Sequence, residues 1–124
     1  MDYHDNNHPK AKFYKKLTFI GFTVKMKPIK KIPKKDIPDE YEDKCNIDVE
    51  LTLDAVTTAS NYDIAIFLTG DGDFSKLVEY LRLLGKQIYC VSTMRVSAIE
   101  LRNTVDKFID LEDIKDIIKL EPKK

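Results

Sequence analysis

Residues 63–74, which read DIAIFLTGDGDF, constrain the fold more than any other part of the chain. Residues 64–68 form a continuous apolar run with no polar face, which is typical of a strand buried on both sides in a parallel sheet. Apolar residues at helical spacing follow from Phe74 to Leu84, and Gly85 lies where such a helix is expected to end. A buried strand that passes through a short turn into a helix indicates an α/β domain.

Two carboxylates, those of Asp71 and Asp73, lie in the predicted turn between this strand and this helix. Gly70 and Gly72 allow a tight turn and a close approach of other backbone. Ligands of open parallel sheets bind beyond the carboxyl ends of the strands, and Mg²⁺ and Mn²⁺ prefer oxygen ligands. The pair therefore predicts a cation site. The alternative is that Asp73 only caps the following helix, and the residue pattern by itself leaves both open.

Helical and strand patterns alternate along the rest of the chain. The patterns predict a helix over 10–20 that ends at Gly21, a strand over 22–27, a basic, proline-containing loop over 28–43, a strand over 87–92, a helix over 97–105 capped by Ser97, a strand over 107–111 and a helix over 112–120. Periodicity over 45–60 fits both a strand and a helix, and the polar end of this segment favours a helix. This order predicts one α/β domain, residues 1–124, with a mainly parallel sheet and right-handed crossovers.

The composition excludes several classes of protein. No apolar run approaches the ~18 residues that a membrane helix needs, and residues 1–10 contain no apolar segment of a signal peptide. Cys45 and Cys90 are the only cysteines, which predicts a reducing, cytoplasmic location rather than a disulfide framework. Without a CxxC pair a zinc site is not expected.

Charge is unevenly distributed, although the formal net charge is zero. Residues 1–38 hold ten Lys and three Asp, whereas the remainder holds eleven Lys or Arg and eighteen Asp or Glu. A basic arm beside an acidic body could attract a polyanion next to a metal site. Lysines that simply face solvent are the alternative.

Other candidate groups are few. Asp48 lies near the start of the helix predicted over 45–60, where it could face a site at the strand ends or only favour the helix dipole. Asp54 lies six residues further on, so it faces another way and is expected to be solvated or to be a buried polar partner. His4 and His8, the only histidines, lie in a polar terminus. No Ser-His-Asp or Cys-His arrangement is apparent, which disfavours a nucleophilic side chain.

Residues 61–92 closely resemble the core of LabA-like NYN domains, a branch of the PIN-like nuclease superfamily. The hallmark is the strand that ends in TGDGDF, with the following helix and Gly-Lys turn; KCNIDVELTLDAV, GFTVKMKPIK and SAIELRNTVDKFIDL are further matches. The resemblance implies a three-layer α/β/α sandwich of flavodoxin-like topology and a ribonuclease with an acidic pocket for Mg²⁺ or Mn²⁺. By resemblance the catalytic and metal-binding acids are Asp48, Asp71 and Asp73. The candidate nucleic-acid contacts are Lys44, Thr69, Lys30, Lys31, Lys34 and Lys35.

The resemblance also implies a central strand, ending in an Asp, that precedes Met1 in the family and is absent from this sequence. Three explanations would account for its absence. The chain is truncated or a fragment, the strands over 22–27 and 63–68 pair directly, or another chain, such as a second copy, supplies a strand. An isolated monomer is expected to be inactive or incomplete. Two alternatives to a ribonuclease follow: a regulatory or interaction domain without catalysis, and a Toprim-like metal–phosphate enzyme.

Overall fold

The computed structural model of the chain describes residues 8–122. Backbone contacts divide the chain into two compact units, Met1–Ile47 and Asp48–Lys124. Among the described residues, no helix combines the length and apolar character that crossing a membrane requires.

The first unit begins with helix α1, Pro9–Phe19. The His8 ring accepts a hydrogen bond from the Lys10 N–H at 3.2 Å, and Pro9 occupies the first turn, where a missing N–H costs nothing. Gly21 follows the helix with φ of 109°, a conformation that favours glycine. The predicted first helix and its glycine stop are confirmed.

The strand predicted over 22–27 is wrong, because this segment has no regular structure. Its Phe22 and Met26 side chains are 61% and 59% exposed. Two strands form instead in and beside the predicted loop over 28–43: β1, Lys30–Pro33, and β2, Tyr41–Lys44, which pair antiparallel. An alternating pattern fits a strand only where a second strand satisfies its backbone groups, and within residues 8–122 the segment 22–27 pairs with no strand.

Up to residue 122, the second unit contains four α-helices and a parallel sheet. Its elements are α2, Asp48–Thr57; β3, Ile64–Phe67; α3, Ser75–Leu83; β4, Gln87–Ser92; α4, Ile99–Thr104; β5, Lys107–Asp110; and α5, Lys115–Ile118. The strand order is β3-β4-β5, with both pairings parallel. The predicted mixed α/β fold with a parallel sheet and flanking helices is confirmed.

The core of the second unit lies where helices α2, α3 and α4 pack against the sheet. Leu77, Val78 and Leu81 form the buried stripe of α3, with Val78 and Leu81 fully buried. They share a cluster with Ile88 of β4 and Leu101 of α4. Spacings of three and four residues place the α3 side chains on one helix face, which is why the sequence pattern located this helix correctly.

Strand β3 lies where it was predicted, but it is not buried on both sides. Ala65 and Phe67 pack against the core, whereas Ile64, Ile66 and Leu68 are 48%, 57% and 78% exposed. An apolar run without alternation fits a strand buried on both faces, yet the run cannot show whether both faces are covered. β3 is an edge strand of this sheet.

The C-terminal elements are shorter than predicted. Helix α4 is preceded by Ala98 at its N-cap, and no side chain caps it, so the predicted cap by Ser97 is wrong. The last predicted helix begins as the 3₁₀ turn Leu111–Ile114 and continues as α5. Asp110 caps that turn by accepting from the Glu112 N–H at 3.0 Å.

Candidate metal centre

Three carboxylates converge at the carboxyl end of β3. Asp48 is the first residue of α2, while Asp71 and Asp73 lie in the loop between β3 and α3. One carboxylate oxygen from each lies within 4.8 Å of the others. Asp48 is half-buried, and the other two are exposed. The structure therefore brings together the three acids that the resemblance singled out, whereas Asp54 is not part of this cluster.

The loop is organised by its own side chains. An Asp71 carboxylate oxygen, Oδ1, accepts a hydrogen bond from the Asp73 N–H at 2.9 Å and caps the 3₁₀ turn Gly72–Phe74. The Thr69 hydroxyl oxygen accepts from the Asp71 N–H at 3.2 Å. Thr69 therefore contacts the backbone of the acidic loop.

The cap differs from the one that the sequence suggested. Asp71, not Asp73, supplies it, and α3 itself has no side-chain cap. A carboxylate has two oxygens, so one can accept the N–H while the other faces a cation. Capping and cation binding are therefore compatible at Asp71.

The two glycines of the loop pack tightly against the segment between β4 and α4. The Ala98 N–H donates to the Gly70 carbonyl at 2.9 Å. A Cβ on Gly70 would lie 2.8 Å from the Ser92 hydroxyl oxygen and 2.9 Å from the Ser97 Cα, and one on Gly72 would lie 2.9 Å from the Ala98 Cβ. Close backbone approach thus fixes the loop that carries Asp71 and Asp73.

Cys90 lies beneath this loop on β4. Its thiol donates to the Thr69 carbonyl at 2.8 Å. Burial raises the pKa of the Cys90 thiol, and the hydrogen bond to Thr69 acts in the opposite direction. The buried Cys90 thiol therefore serves as a hydrogen-bond donor to the backbone of the loop that carries the acids.

An open concavity of about 220 Å³ adjoins two of the acids. Val49, Leu53 and Phe74 line it with Asp48, Asp73 and Thr52. This wall has no role among the predictions from the sequence. The signal available was the spacing of Val49 and Leu53, which places both on one face of α2.

The donor set fits a hard divalent cation. Three clustered carboxylates repel one another and need a cation or protons to offset their charge. Within residues 8–122 no lysine or arginine forms an ion pair with Asp71 or Asp73. Carboxylate oxygens are the ligands that Mg²⁺ and Mn²⁺ prefer, so Asp48, Asp71 and Asp73 are suited to hold one.

The predicted nucleic-acid contacts of the first unit are exposed and lie on different faces of its hairpin. In the register of β1 and β2, Lys30 stands opposite Lys44, whereas Lys31 stands opposite Asp43. Directly opposite side chains share a face, and like charges there are destabilising. The pair of Lys30 and Lys44 therefore concentrates positive charge on one face, while the charge of Lys31 faces a carboxylate.

The other two predicted lysines lie in the turn of the hairpin. Lys34 forms an ion pair with Glu40 at 3.2 Å. Lys34, Lys35 and Lys44 line a shallow concavity of about 460 Å³. Their role in binding nucleic acid stays a prediction.

The model of the NYN domain family matches residues 2–112 of the chain. The chain belongs to the NYN domain family. Low amplitude and bright protein LabA of Synechococcus elongatus is 37% identical over 102 residues, which cover 82% of this chain and 55% of that protein. The chain thus spans about half the length of this curated relative.

A solved structure supports the fold of this NYN domain. The crystal structure of a protein of unknown function from Vibrio parahaemolyticus matches with a TM-score of 0.65 and 31% identity, over 86% of this chain and 64% of that one. The predicted membership of a LabA-like branch of the PIN-like nucleases is therefore confirmed.

Proposed function

We propose that this NYN domain is a metal-dependent ribonuclease domain that hydrolyses RNA phosphodiesters. The observation that carries the proposal is the convergence of Asp48, Asp71 and Asp73 within 4.8 Å at the carboxyl end of a parallel strand. Membership of the PIN-like nuclease family supports the same chemistry.

The three acids would hold Mg²⁺ or Mn²⁺, which when bound supplies a Lewis acid and an activated water for phosphodiester hydrolysis. Asp71 is oriented by the N–H of Asp73, and the close-packed glycines hold the loop against the β4–α4 segment. The acids are thereby held in place before a cation arrives, which limits the reorganisation that binding requires.

RNA is the proposed partner because the chain carries an acidic site in its second unit and exposed lysines in its first. Lys30 and Lys44 share one face of the hairpin, and lysines that contact phosphates give a sequence-independent affinity that falls as salt rises. The proposed set of RNA contacts also includes Thr69, Lys31, Lys34 and Lys35. A reducing, cytoplasmic location, predicted from the two cysteines, belongs to the same proposal.

The test is cleavage of a labelled RNA by the purified chain with and without Mn²⁺, with the oligomeric state measured in the same sample. Asp71→Asn is the informative variant because asparagine keeps the capping oxygen and removes only the charge. Asp54→Asn is the matched control, since Asp54 is an exposed acid on α2 outside the cluster.

Cleavage that requires Mn²⁺, is lost in Asp71→Asn and persists in Asp54→Asn would support the proposal. A protein that binds Mn²⁺ and RNA without cleaving would overturn it in favour of a regulatory domain. Cleavage by a sample shown to be monomeric would contradict the separate expectation that the monomer is inactive.

A further inference from the structure

One loop at the carboxyl end of the parallel sheet carries a positive charge. Three segments follow the strands β3, β4 and β5, namely residues 68–74, 93–98 and 111–114, and all three lie in the described part of the chain. The first and the third contain acidic residues and no lysine or arginine, whereas the second contains Arg95. Arg95 is therefore the only cation among the three segments that follow these strands.

Arg95 lies in a tight turn and is exposed. The Thr93 carbonyl accepts hydrogen bonds from the N–H groups of Val96 at 3.3 Å and Ser97 at 3.1 Å, so two bonds hold the backbone of this turn. Within residues 8–122 no carboxylate forms an ion pair with Arg95. Its guanidinium is therefore available to an anion from solution.

This turn is joined to the loop that carries the acids. The Ala98 N–H donates to the Gly70 carbonyl at 2.9 Å, and Asp71 follows Gly70 directly. Ala98 comes three residues after Arg95, and three residues of chain span at most roughly 11 Å. The Arg95 Cα thus lies within that distance of the Ala98 Cα, at the end of the sheet where the acids converge.

We propose that Arg95 binds a phosphate of the RNA next to the phosphate held at the acidic cluster. The inference rests on the proposed function, because it takes RNA as the ligand and Asp48, Asp71 and Asp73 as the site of hydrolysis. It adds a residue of the second unit that fixes the RNA strand beside that site.

A guanidinium suits this role because its planar fork donates two parallel hydrogen bonds to phosphate oxygens and stays charged. Residues 48–124 hold fourteen Asp or Glu and ten Lys or Arg, so the second unit by itself repels a polyanion. Two of its other cations are already paired, Lys76 with Glu79 at 3.2 Å and Arg82 with Asp106 at 3.1 Å. A cation at the rim of the acidic site offsets this repulsion where the RNA must approach.

The phosphate that Arg95 contacts does not react, so the contact is the same in the bound substrate and in the transition state. Binding of this uniform kind lowers KM and leaves kcat unchanged. Removal of the contact is therefore expected to raise KM.

Fluorescence anisotropy of a short, labelled, single-stranded RNA tests the contact without cleavage. The full chain with Asp71→Asn is the background, because this variant is expected not to cleave. Adding Arg95→Ala should lower the slope of log affinity against log salt by about 0.7, the value for one phosphate contact on a single strand. This change in slope corresponds to roughly eightfold weaker binding at about 50 mM salt.

Two matched controls accompany Arg95→Ala. Arg95→Lys keeps the charge and loses the fork, so the slope should stay while the affinity falls less than in Arg95→Ala. Lys107 is exposed and begins β5, at the amino ends of the strands, so Lys107→Ala removes one charge far from the acids and should leave the slope unchanged. An unchanged slope in Arg95→Ala, or an equal fall in Lys107→Ala, would overturn the proposal.

Cleavage by the chain without Asp71→Asn separates this inference from the proposed function. A severalfold higher KM with unchanged kcat in Arg95→Ala would support both. An unchanged KM would overturn the Arg95 contact and leave the ribonuclease standing. Binding that depends on Arg95 in a protein that never cleaves would support the contact and refute the ribonuclease, and a protein that binds no RNA would overturn both.

Discussion

Replacing Gly70 with alanine is expected to destabilise the second unit and disturb the acidic loop. The added Cβ would lie 2.9 Å from the Ser97 Cα and 2.8 Å from the Ser92 hydroxyl oxygen. The hydroxyl can rotate away, but the Cα is backbone, so the loop or its neighbour must move. Overpacking of this kind typically costs about 1–3 kcal/mol.

The measurement is thermal unfolding followed by circular dichroism. For a unit the size of residues 48–124, each 1 kcal/mol of lost stability lowers the unfolding midpoint by roughly 4–8 °C. A loss of about 2 kcal/mol therefore lowers it by roughly 8–16 °C. Ser60→Ala is the control, because Ser60 is exposed and surface changes usually stay within about 0.5 kcal/mol. A Gly70→Ala midpoint within the range of the control would refute the close packing of this loop.

Two further pairs of substitutions test the sheet and the lysines. Asp106→Ala should lower the free energy of unfolding by about 1–3 kcal/mol, because the buried Ile88 N–H, which donates to the Asp106 carboxylate at 2.7 Å, loses its acceptor. Arg82→Ala should lower it by less than about 1 kcal/mol, since the ion pair of Arg82 with Asp106 is partly exposed. Equal losses in urea unfolding would contradict that ranking. Lys30→Ala should lower the slope of RNA affinity against salt by about 0.7, the value for one phosphate contact, and Lys31→Ala should change it less. A larger effect of Lys31→Ala would contradict the assignment by hairpin face.

Periodicity located α3 because its buried residues lie close together in the sequence, whereas it left residues 45–60 open between a strand and a helix. The stripe of Leu77, Val78 and Leu81 marks α3 whatever surrounds it, since residues three and four apart share a face. The convergence of Asp71 and Asp73 with Asp48 followed from the position of strand ends together with the family resemblance. Residue spacing alone left the role of Asp48 open.

The features that the sequence pattern did not predict depend on which strands pair and on which side chains are covered by residues distant in the sequence. The alternation over 22–27 predicts a strand, yet the strands of the first unit form at Lys30–Pro33 and Tyr41–Lys44, because backbone pairing, and not side-chain alternation, determines where a strand forms. The exposed face of Ile64 and Ile66 was missed for a similar reason: an apolar run does not show which face is covered.

Binding of Mn²⁺ measured by calorimetry tests the central claim most directly, which is that Asp48, Asp71 and Asp73 form a cation site. Wild type and Asp54→Asn should give the same saturable heat, and Asp71→Asn should lose most of it, because two carboxylates remain where three converge within 4.8 Å. Identical heats for wild type and Asp71→Asn would contradict the account.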